Sequence, residues 1–483
     1  MVEMNFMPNE TGVLLINPPY EHTVGRFQRL AHFTDPPLGV AYLASYLREQ
    51  LPEVKTDLLD AAALNMTLAQ IVGHIEQKRP RIVGLSSVTI TANLVKKIAR
   101  AVREILPETL LVAGGIHPTV LPNDFFPDMD VCVLGEGELT MLELVRAFLG
   151  GKRSSRDFSD IGGIVFFHDG EPVQTSERPL IPDLSALPFP ARDLLPLDRY
   201  LSQYPHRTPT RRYSTMIISR GCPYDCTFCC SKQIWRREVR FRSTDDILRE
   251  LHEVRERHQI SMLHFADDNF CLSRERSLEL FRRMIEEKVD VRWSCLTRVD
   301  ALDEELLRLM KQAGCVEIHI GVESGDPEVL KSINKNISVP HIKEVFDLVK
   351  KVGINSKGSF ILGNRGETRE TILKTIDLAL ELDPTTAFIS IMVPYPGTSV
   401  FEEYKEKNLI TTYDWDRYNY YMDPVFQPEG LPASELKKLR IQADSRFYFR
   451  PRKILKYAFD AVRSGRTDVL MHSFWNIMNK VFG

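Results

Sequence analysis

The sequence has 483 residues, 43% hydrophobic and 26% charged, with 62 Lys and Arg against 65 Asp and Glu and a formal net charge of −3. That length suits two or three domains, and the balance excludes a disordered chain and a strongly basic nucleic-acid binder. The start, Met1 to Phe6, lacks the basic and apolar regions of a signal peptide, and no apolar run reaches the roughly 20 residues of a membrane span. The expectation is a cytoplasmic protein with no nucleic-acid partner and no transmembrane segment.

Residues 10–150 alternate short β-type runs, at 12–16, 54–59, 81–86, 109–113 and 131–134, with amphipathic stretches at 38–49, 68–77 and 92–105. Such alternation predicts an α/β domain with a doubly wound parallel sheet of the flavodoxin-like kind, whose ligands meet the carboxyl ends of the strands. Residues 151–208 read as a hairpin turning at Asp169-Gly170 and a proline-rich linker. Alternation resumes over residues 209–430, with strands expected at 214–219, 262–265, 292–295, 316–320, 356–362 and 387–393. Six such units predict a partial (β/α)6 barrel, its chemistry on the strand ends. Residues 431–483 read as a helical tail, with an apolar stripe over 468–482. Docking on its own core, contact with a membrane surface, and a lid over an apolar substrate are three uses of that stripe.

Four of the eight cysteines crowd into nine residues just after the first expected barrel strand, as Cys222, Cys226, Cys229 and Cys230. Chance gives a Cys-x3-Cys-x2-Cys spacing only about 0.002 times in such a chain. Zinc structural sites want four ligands, usually as two separated pairs, and no second pair is present. Three thiolates would leave a 4Fe–4S cluster one open iron. Cys230 directly follows Cys229, and neighbours in an extended loop point opposite ways. Cys132, Cys271, Cys295 and Cys315 lie on or beside expected strands and read as buried thiols.

The motif, with Phe228 before its third cysteine, resembles that of the radical S-adenosylmethionine (SAM) superfamily. The resemblance implies that Cys222, Cys226 and Cys229 hold a 4Fe–4S cluster, that the open iron chelates SAM, and that electron transfer yields a 5′-deoxyadenosyl radical. It also implies SAM contacts at the other strand ends. Asp267 and Asp268 stand after the second strand, where the family has Gly-Gly-Glu. Glu323 and Ser324 follow the fourth. Gly363 opens the Gly363-Asn364-Arg365-Gly366-Glu367 run after the fifth, with Asn364-Arg365 where many relatives have proline.

Three loops of the first domain are similar to those of cobalamin-binding domains: Asn17 to Gly25, Ser86-Ser87-Val88-Thr89, and Gly114-Gly115-Ile116-His117-Pro118-Thr119. Small residues at successive strand ends let a bulky ligand approach the backbone. The resemblance implies cobalamin contacts at Ser86, Thr89, Gly114, Gly115, Thr119, Gly135 and Glu136. His22 and Gly25 keep part of the Asp-x-His-x-x-Gly cobalt-ligating pattern, but Tyr20 replaces the aspartate that would orient the imidazole. Whether His22 ligates cobalt stays open at this point, and His117 reads as a loop contact.

Cobalamin and SAM together imply a methyltransferase acting on an unactivated carbon, working with an electron donor such as flavodoxin or ferredoxin under anaerobic conditions. The substrate would be a small molecule or a lipid-like one. Relatives with the same layout perform cyclisation, as the magnesium-protoporphyrin ester cyclases do, and a non-enzymatic sensor is a third class. Tyr395, Tyr418, Tyr420 and Tyr421 are candidates for the substrate side, with packing as the alternative.

Overall fold

The computed structural model describes residues 11–20, 35–152, 155–200, 212–420 and 423–464. His22, Gly25, Tyr421 and the stripe at 468–482 lie outside the described residues. Two compact units result, and the first takes the described residues up to Tyr200 together with Cys230–Phe241 and Asp414–Tyr418.

The first unit is built on seven strands: β1 (Val13–Asn17), β2 (Thr56–Asp60), β3 (Ile82–Ser86), β4 (Leu110–Gly114), β5 (Val131–Val133), β6 (Ile164–His168) and β7 (Glu171–Gln174). Their order is β2-β1-β3-β4-β5-β6-β7. The first five are parallel and doubly wound, as expected. The hairpin β6–β7 adds to the β5 edge as an antiparallel extension, with Val131 opposite Phe166. Val13, Leu14, Ile82, Val83, Leu111 and Ala113 are fully buried, because helices cover both faces of a parallel sheet. Helices Leu38–Gln50, Leu68–Lys78 and Ala92–Ile105 make crossovers between the parallel strands, and Glu138–Leu149 leads from β5 to the hairpin. The strand order reverses between β1 and β3, which is where such sheets bind ligands.

The second unit holds six parallel strands: β8 (Tyr213–Met216), β9 (Met262–Phe265), β10 (Arg292–Arg298), β11 (Cys315–Glu323), β12 (Asn355–Leu362) and β13 (Thr386–Ile391). They pair in chain order from β8 to β13, the open curved arrangement of a partial barrel. Capping side chains start helices between and after them: Ser243 accepts from Asp246 N, Asp303 from Leu306 N and Thr398 from Phe401 N.

Alternation along each strand separates two faces. Phe265 and Trp293 point to the helices, where Trp293 stacks on Phe281 with centroids 5.4 Å apart. Phe265 stacks on Phe270 at 4.5 Å. Removing one such ring costs about 3–5 kcal/mol. Cys271, Cys295 and Cys315 are buried in this core and Cys132 in that of the first unit, as free thiols. His264, Ser294, His319, Lys357 and Ser359 lie on the opposite, inward face.

Candidate functional site

In the first unit the loops after β3 and β4 are laced together. Ser87 N donates to Gly114 O at 2.7 Å, and His117 N donates to Ser87 O at 3.2 Å. Gly115 sits at φ +102°, and a Cβ there would stand 2.7 Å from Ser87 O. Only glycine fits that junction. Thr119 ties it to the next loop, its hydroxyl donating to Gly115 O at 2.7 Å and accepting from Gly135 N at 3.0 Å. Above the junction there is room among the described residues, since a Cβ on Gly114 or Gly135 would meet none of their atoms within 4 Å. Tyr20, Leu64 and Val88, at the carboxyl ends of β1, β2 and β3, expose 47%, 40% and 38% of their surface. An apolar rim around an open double-glycine floor suits a bulky, partly apolar ligand such as a corrinoid.

Two residues expected at that ligand turn inward. Thr89 Oγ1 is 3.2 Å from Nδ1 of fully buried His117, whose Nε2 is 3.4 Å from Asp124 Oδ2. Trp415 Nε1 and Lys96 Nζ, each 3.0 Å away, also donate to Asp124. Burial pushes the Asp124 carboxyl up, but His117 and Lys96 more than reverse this and hold it below its ordinary value. Glu136 Oε2 accepts from Arg240 Nη1 at 2.7 Å and from Ile181 N at 2.8 Å. It acts as a strut to the linker and to Arg240. Ser86 remains half-exposed at the strand end.

In the second unit the loop 222–229 carries three half-buried thiols in no disulfide, Cys222, Cys226 and Cys229. Cys230 begins the segment that belongs to the first unit and precedes a short helix, Ser231–Trp235. Among the described residues no three His, Cys, Asp or Glu side chains are grouped tightly enough to hold a metal ion. What the fold supplies is an anchored loop. Gly221 N donates to Asp268 Oδ2 at 3.3 Å, and Thr227 N to Ile333 O at 3.2 Å. Val400 N donates to Thr227 O at 3.2 Å, and Asn334 Nδ2 to Asp225 O at 3.2 Å.

Two cations stand beside this loop. Arg298, ending β10, has Nη1 4.0 Å from Cys226 Sγ and Nη2 2.7 Å from Lys335 O. Lys335 Nζ pairs with Glu323 at 2.8 Å. Burial pushes the Cys226 thiol above its ordinary value, and Lys335 and Arg298 oppose that rise. Three thiols on one loop outside any disulfide, with cations to favour the thiolate, form a donor set that fits an iron–sulfur cluster.

The other strand ends divide by role. Asp267 is fully enclosed, and its Oδ1 accepts from Ser219 N at 2.6 Å, Ser219 Oγ at 2.6 Å and Ile218 N at 3.1 Å. Burial pushes its carboxyl up to about 7. It therefore positions the segment leading into Cys222, while Asp268 is exposed. Ser324 is buried against Thr375, with oxygens 3.1 Å apart. Gly363 has φ +86° and lies under Leu436, 2.5 Å from where a Cβ would be, so close packing accounts for this glycine. Glu323 adopts φ +68°, an uncommon conformation for a residue with a side chain. Phe228 stays half-exposed at the loop tip.

Tyr224 and Lys335 at the cysteine loop were not singled out in the sequence, and Glu367 entered only as the end of the run that Gly363 opens. Glu367 Oε2 accepts from Gly363 N at 2.6 Å and Asn364 N at 2.8 Å. Tyr224 sits within the cysteine motif and could have been singled out there; Lys335 has no local signature. Of the candidate tyrosines, Tyr418 is buried against Trp415, whereas Tyr395 and Tyr420 contact each other at 5.8 Å.

A model of the radical SAM superfamily matches residues 216–379, and one of the B12 binding domain matches residues 31–145. The chain is 33% identical over 451 residues to an uncharacterized methyltransferase of Pyrococcus horikoshii, covering 93% of this chain and 95% of that one. The chain belongs to the B12-binding radical SAM family. As a member of it, the enzyme uses a 4Fe–4S cluster, SAM and cobalamin. This B12-binding radical SAM enzyme is also 29% identical to an anaerobic magnesium-protoporphyrin IX monomethyl ester cyclase of Rubrivivax gelatinosus, over 88% of this chain and 75% of that one. Among solved structures, the cobalamin-dependent S-adenosylmethionine radical enzyme OxsB has the same fold. The TM-score is 0.72 at 19% identity, covering 94% of this chain and 72% of that one.

Proposed function

We propose that the enzyme transfers a methyl group from cobalamin to an unactivated carbon of a small organic or lipid-like substrate, after a hydrogen atom is removed from it. The observation that carries this reading is the pairing, in one chain, of an anchored three-thiol loop with an open double-glycine floor at the sheet's switch point. When bound, the cluster with SAM supplies the one-electron chemistry that removes the hydrogen, and cobalamin supplies the methyl group.

The chain's own residues bind and orient. Cys222, Cys226 and Cys229 hold the cluster, and Asp267 and Asp268 fix the backbone on which the motif begins. Phe228, Asp268 and the Glu323–Lys335 pair face the SAM side. Ser86, Gly114, Gly115, Thr119 and Gly135 shape the cobalamin floor within residues 10–150, and residues 209–430 form the radical-generating barrel. Among the described residues no helix is long and apolar enough to cross a membrane. A low-potential electron donor of the flavodoxin or ferredoxin type and an oxygen-poor cytoplasm complete the reading.

The test uses anaerobically reconstituted protein with candidate substrates. S-adenosylhomocysteine and 5′-deoxyadenosine formed together, both dependent on substrate, support methyl transfer. The similarity to the Rubrivivax cyclase favours a second reading, radical ring closure. That reading gives 5′-deoxyadenosine without S-adenosylhomocysteine.

A further inference from the structure

The inward face of the barrel carries a layer of nitrogen bases that the cluster loop does not use. His264 on β9 lies with Nδ1 2.9 Å from Ser294 Oγ on β10. His319 on β11 hydrogen-bonds through Nε2 to Ser359 Oγ on β12. Lys357, opposite His319 in the strand register, is half-buried and makes no ion pair among the described residues. Its Nζ stands 5.6 Å from the centroid of Phe388, the residue opposite Ser359 on β13. Phe388 meets Tyr420 edge-on at 5.9 Å, and Tyr420 is 43% exposed.

Of the two glutamates on this face among the described residues, Glu323 is tied to Lys335, and Glu317 lies one layer toward the strand starts, in register with Ser294. Burial, and then the positive fields of Lys357, His264 and Lys335, hold His319 well below its ordinary value. A half-buried lysine with no ion pair among the described residues is suited to receive a negative group.

We propose that Lys357, His319 and Ser359 form the anchoring subsite for an anionic group of the substrate, a carboxylate or a phosphate, and that Phe388 and Tyr420 hold an apolar or planar portion beside it. Lysine supplies the charge as a compact point donor, the one hydrogen of the His319–Ser359 pair that their mutual bond leaves over donates to the anion, and the aromatic edges bury the attached carbon skeleton. The inference rests on reading this barrel as the radical-generating unit, and it adds the substrate class.

Three probes of similar shape test it on the reconstituted holoenzyme by titration calorimetry: benzoate, phenyl phosphate and benzyl alcohol. At least one anion is expected to bind about tenfold or more tighter than the neutral alcohol. The tighter of the two anions names the carboxylate or the phosphate as the substrate's group. Lys357→Met should erase that preference and Lys357→Arg should keep it. Equal binding of anions and alcohol by the wild type overturns the proposal, as does a Lys357→Met protein that keeps the full preference. Should Lys357→Met fail to fold, the wild-type comparison decides alone. SAM cleavage by the same wild-type sample is read separately. Cleavage without anion preference sinks the subsite alone, and anion preference without cleavage supports the subsite while overturning the catalytic reading.

Discussion

Arg298 lies over the ring of Tyr224, its guanidinium carbon 3.7 Å from the ring centroid, and so clamps the cysteine loop from its inner side. The clamp is itself braced, since Arg298 pairs with Asp300 at 2.9 Å and Tyr224 donates to the same carboxylate at 3.4 Å. A fixed cation beside Cys226 both orders the loop and favours its thiolate.

Replacing Arg298 with Met should therefore loosen the loop before it unfolds the barrel. Stacking and charge together are worth about 1–2 kcal/mol at a partly buried site. The expected result is a fall in iron and sulfide content after reconstitution, with the wild-type circular dichroism spectrum retained.

The double glycine separates two costs. Gly115→Ala forces a Cβ against Ser87 O in a left-handed backbone, so it should lower the melting temperature as well as cobalamin retention. Gly114→Ala meets no described residue within 4 Å and should leave melting unchanged while reducing the cobalamin absorbance that survives gel filtration. Equal cobalamin retention in Gly114→Ala and wild type would argue against this floor.

Glu136 and Arg240 are a buried pair, their side chains 5% and 9% exposed. Removing one partner strands the other charge, at a cost of about 3 kcal/mol. Glu136→Ala should show this loss in urea unfolding yet still take up cobalamin. Lost cobalamin with unchanged stability would return Glu136 to the cofactor.

Burial pushes the Glu367 carboxyl up to about 8. A raised acid favours the folded state below its unfolded value near 4.5, and that contribution is lost as pH climbs toward 8. Stability should fall across this window by at most about 1.4 kcal/mol per pH unit from this group. Glu367→Gln should flatten the decline, measured by urea unfolding at a series of pH values.

The strands were legible because parallel strands buried on both faces read as continuous apolar runs, such as Val13 to Ile16. The cysteine spacing and the double glycine were legible because their chemistry is local. Asp267 and Glu136 look in the sequence like acids aimed at a ligand. Their partners, Ser219 for one and Ile181 with Arg240 for the other, come from segments 45 or more residues away. Lys335 reaches the cysteine loop by the same long-range route. The hairpin at 164–174 carried a clear turn, but nothing local marked the β5 edge as its destination.

The most direct measurement is electron paramagnetic resonance of the reduced, anaerobically reconstituted protein, with and without SAM. A reduced 4Fe–4S signal that changes on adding SAM, and disappears when Cys222, Cys226 and Cys229 are replaced by Ala while cobalamin absorbance remains, is the predicted result. A signal indifferent to SAM, or one that survives loss of the three cysteines, would contradict the account.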